Sequence, residues 1–190
     1  MSVSGFISLA ALLVLTGYAV VIYNSLVNIK HNVSKAWANI DVLLKQRHDE
    51  LPKLVETCKQ YMKHERETLE QVMLARSGVS AALNQSDVTA LGSAETKMGQ
   101  GLMNLFAVAE AYPELKADAS FQHVQNRISQ LENTIADRRE FYNESVNSNN
   151  IRIEQFPDII LARFFNFKAF DLLEFEKADI ADINIKKLFE

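Results

Sequence analysis

From Gly5 to Tyr23 the chain is apolar and carries no charged side chain. At ~1.5 Å per residue a helix over this run covers about 28 Å, close to the ~30 Å hydrocarbon thickness of a bilayer. The start, Met1 to Phe6, lacks the basic segment of a signal peptide. Gly17-Tyr18-Ala19 is a weak cleavage site, and the apolar run continues beyond it through Val20, Val21, Ile22 and Tyr23. The pattern therefore favours an uncut membrane anchor over a cleaved signal or a buried core helix. Tyr18 and Tyr23 lie toward its far end, where amphipathic rings suit the headgroup level.

Beyond the anchor, apolar positions recur at spacings of three and four, the period of a helix with one buried face. Val33, Trp37, Ile40, Leu44 and Leu51 form one such seam, with Arg47 at its missing step. Pro52 suits the first turn of a new helix or a kink. From there Leu54, Cys58, Tyr61, Glu65, Thr68, Val72, Arg76, Val79 and Leu83 continue the stepping. Asn84 to Asp87 reads as a turn with capping chemistry. A third seam holds Leu91, Glu95, Met98, Leu102, Leu105 and Ala109, and Pro113 breaks it. A fourth runs through Phe121, Val124, Ile128, Leu131, Ile135, Arg138, Tyr142 and Ser145, with Ser120 as its cap. The expected fold is all-α: an N-terminal transmembrane helix continuing into a long antiparallel four-helix bundle. Residues 1–29 form the anchor segment, 30–156 the bundle and 157–190 an aromatic-rich tail.

Charge narrows the function. Every charged side chain follows the anchor, the net charge is −4 and the pI is near 5.6. No basic stripe is present, so a nucleic-acid partner is not expected. Lys30, Lys35, Lys45 and Arg47 flank the span on its C-terminal side, and the positive-inside rule puts the N-terminus outside and the domain in the cytoplasm. The single cysteine, Cys58, leaves no intramolecular disulfide and reads as a small buried hydrophobe.

The residue spacings of familiar catalytic sites do not occur. A di-metal carboxylate bundle needs Glu three residues before His on two helices, whereas Asn28, Lys45, Tyr61 and Ser120 precede His31, His48, His64 and His123. His64-Glu65-Arg66-Glu67 is not a zinc motif, because Thr68 stands where the second histidine belongs. Gly99-Gln100-Gly101 lies inside a helical seam and reads as a close helix contact. No catalytic, cofactor-binding or metal site is expected, and no cofactor. The charges on inward steps, Glu65, Arg76, Glu95 and Arg138, admit two readings. Either the seams slip by a residue and these side chains reach water, or they pair in a polar layer that fixes register, with Glu65 and Arg138 the candidate buried pair.

The stretch from Tyr23 to Arg76, together with Ile135 to Asn150, resembles the LemA family. The matching features include Tyr23-Asn24 after an N-terminal span, Trp37, Ile40-Asp41, Arg47, Leu51-Pro52, Ala75-Arg76, Tyr142-Asn143 and Asn149 or Asn150. Glu50-Leu51-Pro52 stands where the family usually has Leu-Ile-Pro. The resemblance implies a bacterial single-pass protein of the inner (plasma) membrane with a helical domain and no defined activity. It also implies a family with magnetosome-associated relatives, discussed beside membrane proteases and envelope quality control. A membrane protease or another envelope protein is therefore an expected partner, beside the lipid bilayer itself.

Six of the eleven phenylalanines fall in the last 27 residues. Phe164, Phe165, Phe167, Phe170 and Phe175 either cover one end of the chain's own bundle or form an interface for self-association or for a partner at the membrane surface, so a homo-oligomer is expected. An interfacial membrane helix is less favoured, because Asp171, Glu174 and Glu176 would face anionic lipid. The resulting expectation is a membrane-anchored, non-enzymatic scaffold or adaptor. A lipid-binding or membrane-shaping protein and an enzyme of unrecognised type are the alternatives.

Overall fold

The computed structural model describes residues 3–175. Among these residues all regular structure is helical, in the order α1 (Val3–Tyr61), α2 (Arg66–Gln85), α3 (Val88–Ala109), α4 (Pro113–Ala117), α5 (Ala119–Glu154) and α6 (Asp158–Phe164). One of them, α1, is long and apolar enough to cross a membrane. From residue 3 to residue 18 its side chains are exposed, as expected of a surface whose solvent is lipid.

By packing, the described chain falls into two units. One holds residues 3–43 and 134–172, the other 44–133 and 173–175. The first unit is organised on Ile22, Leu26 and Ala162, against which Ile153, Leu161 and Phe167 pack. Trp37 and Tyr142 pack with ring centroids 5.4 Å apart and their planes tilted by 56°. The second unit buries part of the expected seams: Leu54, Cys58, Val72 and Val79 of the second are buried, whereas Tyr61, Glu65, Thr68, Arg76 and Leu83 are half-buried. All six positions of the third seam, Leu91, Glu95, Met98, Leu102, Leu105 and Ala109, are buried, as are Phe121, Val124, Ile128 and Leu131 of α5.

Helix ends follow from local chemistry. Ser86 takes the left-handed conformation at φ 53°. This lets Asp87 N–H reach the Ala82 carbonyl and Ser86 N–H the Leu83 carbonyl, the double bond of a Schellman turn. Asp87 then accepts from Ala90 N–H at 2.8 Å and starts α3, so two residues close the α2–α3 turn. The cap of α5 is Asp118, which accepts from Phe121 N–H at 2.9 Å. Ser120, the expected cap, lies inside the helix.

Pro52 neither starts nor ends a helix. It sits within α1, and the chain breaks instead between Met62 and Glu65. A proline inside a helix leaves the carbonyl four residues earlier without its amide donor. That carbonyl belongs to His48, and it accepts from Arg76 Nε of α2 at 2.9 Å. The guanidinium replaces the missing backbone donor, which removes much of the cost of carrying the helix through.

Candidate functional site

Two polar clusters stand out against the apolar interior. In the second unit Arg47 is 1% exposed and donates to Glu132 at 2.6 Å and, more closely, to the buried Glu95. Burial alone would lower the Arg47 pKa, but the Glu95 and then the Glu132 carboxylates outweigh it and hold it above the ordinary value. Glu95 is also fully buried, whereas the Glu132 side chain is 34% exposed and touches water. Nearby, Arg76 Nη2 donates to His48 Nε2 at 2.5 Å. Burial and then the Arg76 charge hold the His48 pKa below its ordinary value. These charge-assisted bonds join α1 to α2, α3 and α5 within the second unit.

The second cluster, in the first unit, holds the extended segment after α6. Asn149 is buried and donates to the Lys168 carbonyl at 3.2 Å. Asn150 pairs with Phe170 as a strand neighbour would: its Nδ2 donates to the Phe170 carbonyl at 2.9 Å, and its Oδ1 accepts from Phe170 N–H at 3.0 Å. Tyr142 donates to the Asp171 carbonyl at 3.0 Å. A short way on, in the second unit, Leu173 is buried and the Glu174 carbonyl lies against Gly92 of α3 so closely that a Cβ there would overlap it. Residues 168–174 are thus a strap held through backbone groups. Periodicity cannot reveal such contacts, although Asn149, Asn150 and Tyr142 were among the residues carrying the family resemblance.

The candidate pair Glu65 and Arg138 is corrected. Glu65 is half-buried at the start of α2 and accepts from Tyr112 Oη at 3.2 Å, while Arg138 is exposed. After Ile135 the buried face of α5 passes to Tyr142, Val146 and Asn149, one residue off the expected step at 145, so Arg138 turns outward. Among the described residues, Arg47, the charge on an apolar seam, instead forms an ion pair with Glu95 in which both side chains are buried. Cys58 is fully buried, and burial pushes its thiol up to about 12. Gly101 is buried against Val72 of α2, at ordinary contact distance from a built Cβ, whereas Gly99 faces open space.

The phenylalanines divide. Phe167, Phe170 and Phe175 are half-buried against their own chain, with Phe167 in the Ile22–Leu26–Ala162 cluster. Phe164 and Phe165 are exposed and lie edge to face, their ring centroids 4.9 Å apart. Phe165 packs on Tyr23 at 4.7 Å. Phe189 lies outside the described residues.

The described residues are those of an all-helical protein with one helix long and apolar enough to cross a membrane. The LemA family matches residues 36–186, and the chain belongs to that family. It is 31% identical over 123 residues to the magnetosome proteins MamQ 1 and MamQ 2 of Paramagnetospirillum magneticum, and 27% identical over 123 residues to the magnetosome protein MamQ of Magnetospirillum gryphiswaldense. In each case the match covers 64% of this chain and 45% of the relative, so the shared part is less than half of those proteins' length.

Proposed function

We propose that this chain is a membrane-anchored, non-enzymatic scaffold of the LemA type, which holds a helical domain at the inner face of the bacterial plasma membrane and joins other envelope proteins, its own copies included. The observation that carries the reading is the contrast within the chain: α1 exposes apolar side chains over its first turns, while the interior charge at Arg47 is closed off by Glu95 and Glu132. A long antiparallel four-helix bundle is the favoured architecture of the helical domain. Its support is that Gln46 and Arg47 of α1 bond Arg127 and Glu132 of α5, whereas Tyr61, further along α1, bonds the earlier Asp118. A cytoplasmic domain is supported by Lys30, Lys35 and Lys45, all exposed just past the span.

The role is tested by crosslinking in intact cells followed by mass spectrometry, with activity-based profiling of the purified full chain alongside. Discrete crosslinks to membrane proteins without turnover are expected. Turnover of a substrate, or crosslinks to lipid alone, would overturn the scaffold. Orientation is tested with a cysteine at the exposed Asn147 in a Cys58→Ala background. Labelling only after permeabilisation of the inner membrane is expected, and labelling of intact cells would reverse it.

A further inference from the structure

We propose that α6 and its flanking phenylalanines form a second lipid contact, a short foot lying in the same leaflet as the end of the α1 span. The proposal rests on the reading of α1 as a membrane helix. One side of α6 is used up: Ala162 is buried with Ile22 and Leu26 of α1. The other side is apolar and uncovered, with Phe156 82%, Ile160 58%, Phe164 80% and Phe165 49% exposed. Against α1, Ile160, Leu161, Phe164 and Phe165 border an apolar groove of about 490 Å³, closed on its far wall by Thr16, Ala19, Val20 and Tyr23.

Depth identifies the occupant. The first charged side chain along α1 is Lys30. Tyr23 and Thr16 lie roughly 10 and 20 Å from it along the helix axis, at ~1.5 Å per residue. With a headgroup layer of about 5–8 Å on each side of a ~30 Å hydrocarbon core, the groove runs from the headgroup boundary at Tyr23 down among acyl chains at Thr16. Its occupant is lipid, continuous with the lipid that surrounds the span.

The foot is chemically fit for that depth. Backbone groups in hydrocarbon need internal partners, and the ends of α6 supply them. Ile159 N–H bonds the Gln155 carbonyl and Ile160 N–H the Pro157 carbonyl at the start. At the end Asn166 turns left-handed, so that its N–H reaches Arg163 and Phe167 N–H reaches Ala162. Asp158 is buried and paired with Arg152. Arg163 and Lys168 are exposed on stems long enough to reach lipid phosphates. The exposed acids Glu154, Asp171 and Glu174 lie before the foot or along the strap after it. Seven residues are far too few to span, so α6 lies within one leaflet.

The test places nitroxide labels, one at a time, on the full chain in phosphatidylcholine–phosphatidylglycerol vesicles, in a Cys58→Ala background. The labelled variants are Phe164→Cys, Ile160→Cys, Leu13→Cys in the span and Met103→Cys at an exposed position of α3. Collision with oxygen, which enters hydrocarbon, is compared with collision with a nickel chelate that stays in water. Residues 160 and 164 should resemble residue 13, with an oxygen-to-nickel ratio several-fold above that of residue 103. If residue 13 reads as lipid while 160 and 164 read as water, the foot is wrong and the span stands. If residue 13 itself reads as water, the spanning helix fails first. Shielding of 160 and 164 from both reagents, with spin–spin broadening, would assign the face to a second copy and overturn the lipid contact.

Discussion

Arg47 occupies the step at which α1 would otherwise bury one more leucine, and its value to the fold depends on what faces it. Removing one member of a buried pair strands the other, so Arg47→Met should destabilise the protein by about 3–5 kcal/mol, chiefly through the desolvated Glu95. Glu132 can turn to water and adds little to that loss. Combining Arg47→Met with Glu95→Leu should recover most of it, as read from thermal melting of the detergent-solubilised chain. Additive losses would show that the two side chains do not interact energetically. His48 makes the other residue-scale prediction. Its pKa is lower in the folded state than in the unfolded state, so unfolding takes up a proton and stability falls as pH drops through the ordinary histidine value near 6.5. Protonation also removes the lone pair that Nε2 offers to Arg76. A His48→Gln variant should therefore show a shallower loss of melting temperature between pH 7 and pH 5 than the native chain.

Among the elements, the strap is held by few bonds and should open first. Asn150→Ala removes both of its backbone pairings with Phe170, worth about 2 kcal/mol together, or roughly thirtyfold in the population of the opened segment. Trypsin should then cut after Lys168 correspondingly faster while helicity is retained. Gly92→Ala should free the neighbouring stretch by forcing the Glu174 carbonyl away, and it should lower the melting temperature as well. At Pro52 the same reasoning makes Arg76→Met expensive, because the His48 carbonyl loses the guanidinium donor that replaces the missing amide. In a Pro52→Ala background, where an amide can return, that substitution should cost about 1–2 kcal/mol less. These features explain what was legible beforehand. The seams of α3 and the first half of α5 were read directly, because burial on one helical face leaves a period in the sequence. The break at Met62–Glu65 was not, since the spacing of Leu54, Cys58, Tyr61, Glu65 and Thr68 runs through it undisturbed. Nor could periodicity show that α1 continues past Pro52, because its compensation comes from Arg76, 24 residues further along the chain. Arg47 was visible as the odd step and Glu95 as an inward charge. Their pairing depends on how α1 and α3 meet, which no local pattern records.

For the whole molecule, the exposed apolar length of α1 predicts that the full chain resists carbonate extraction, and that a chain beginning at Asn32 is released while remaining helical. The shortened chain lacks Ile22 and Leu26, so Ala162 and Phe167 lose their cover. It should float with anionic vesicles through α6 and lose that flotation with Phe164→Ser and Ile160→Ser. Recovery of the full chain in the soluble fraction would remove the anchor from the description. The two-residue turn at Ser86 and Asp87 bears on the order of events when the chain assembles. Closing so short a loop loses little chain entropy, whereas Arg47 and Glu132 must bring together residues 85 apart in sequence. The α2–α3 hairpin should therefore be in place at the rate-limiting step, so that truncating Val79 or Leu91 slows folding, while loosening the Asn150 clamp leaves folding almost unchanged and hastens unfolding.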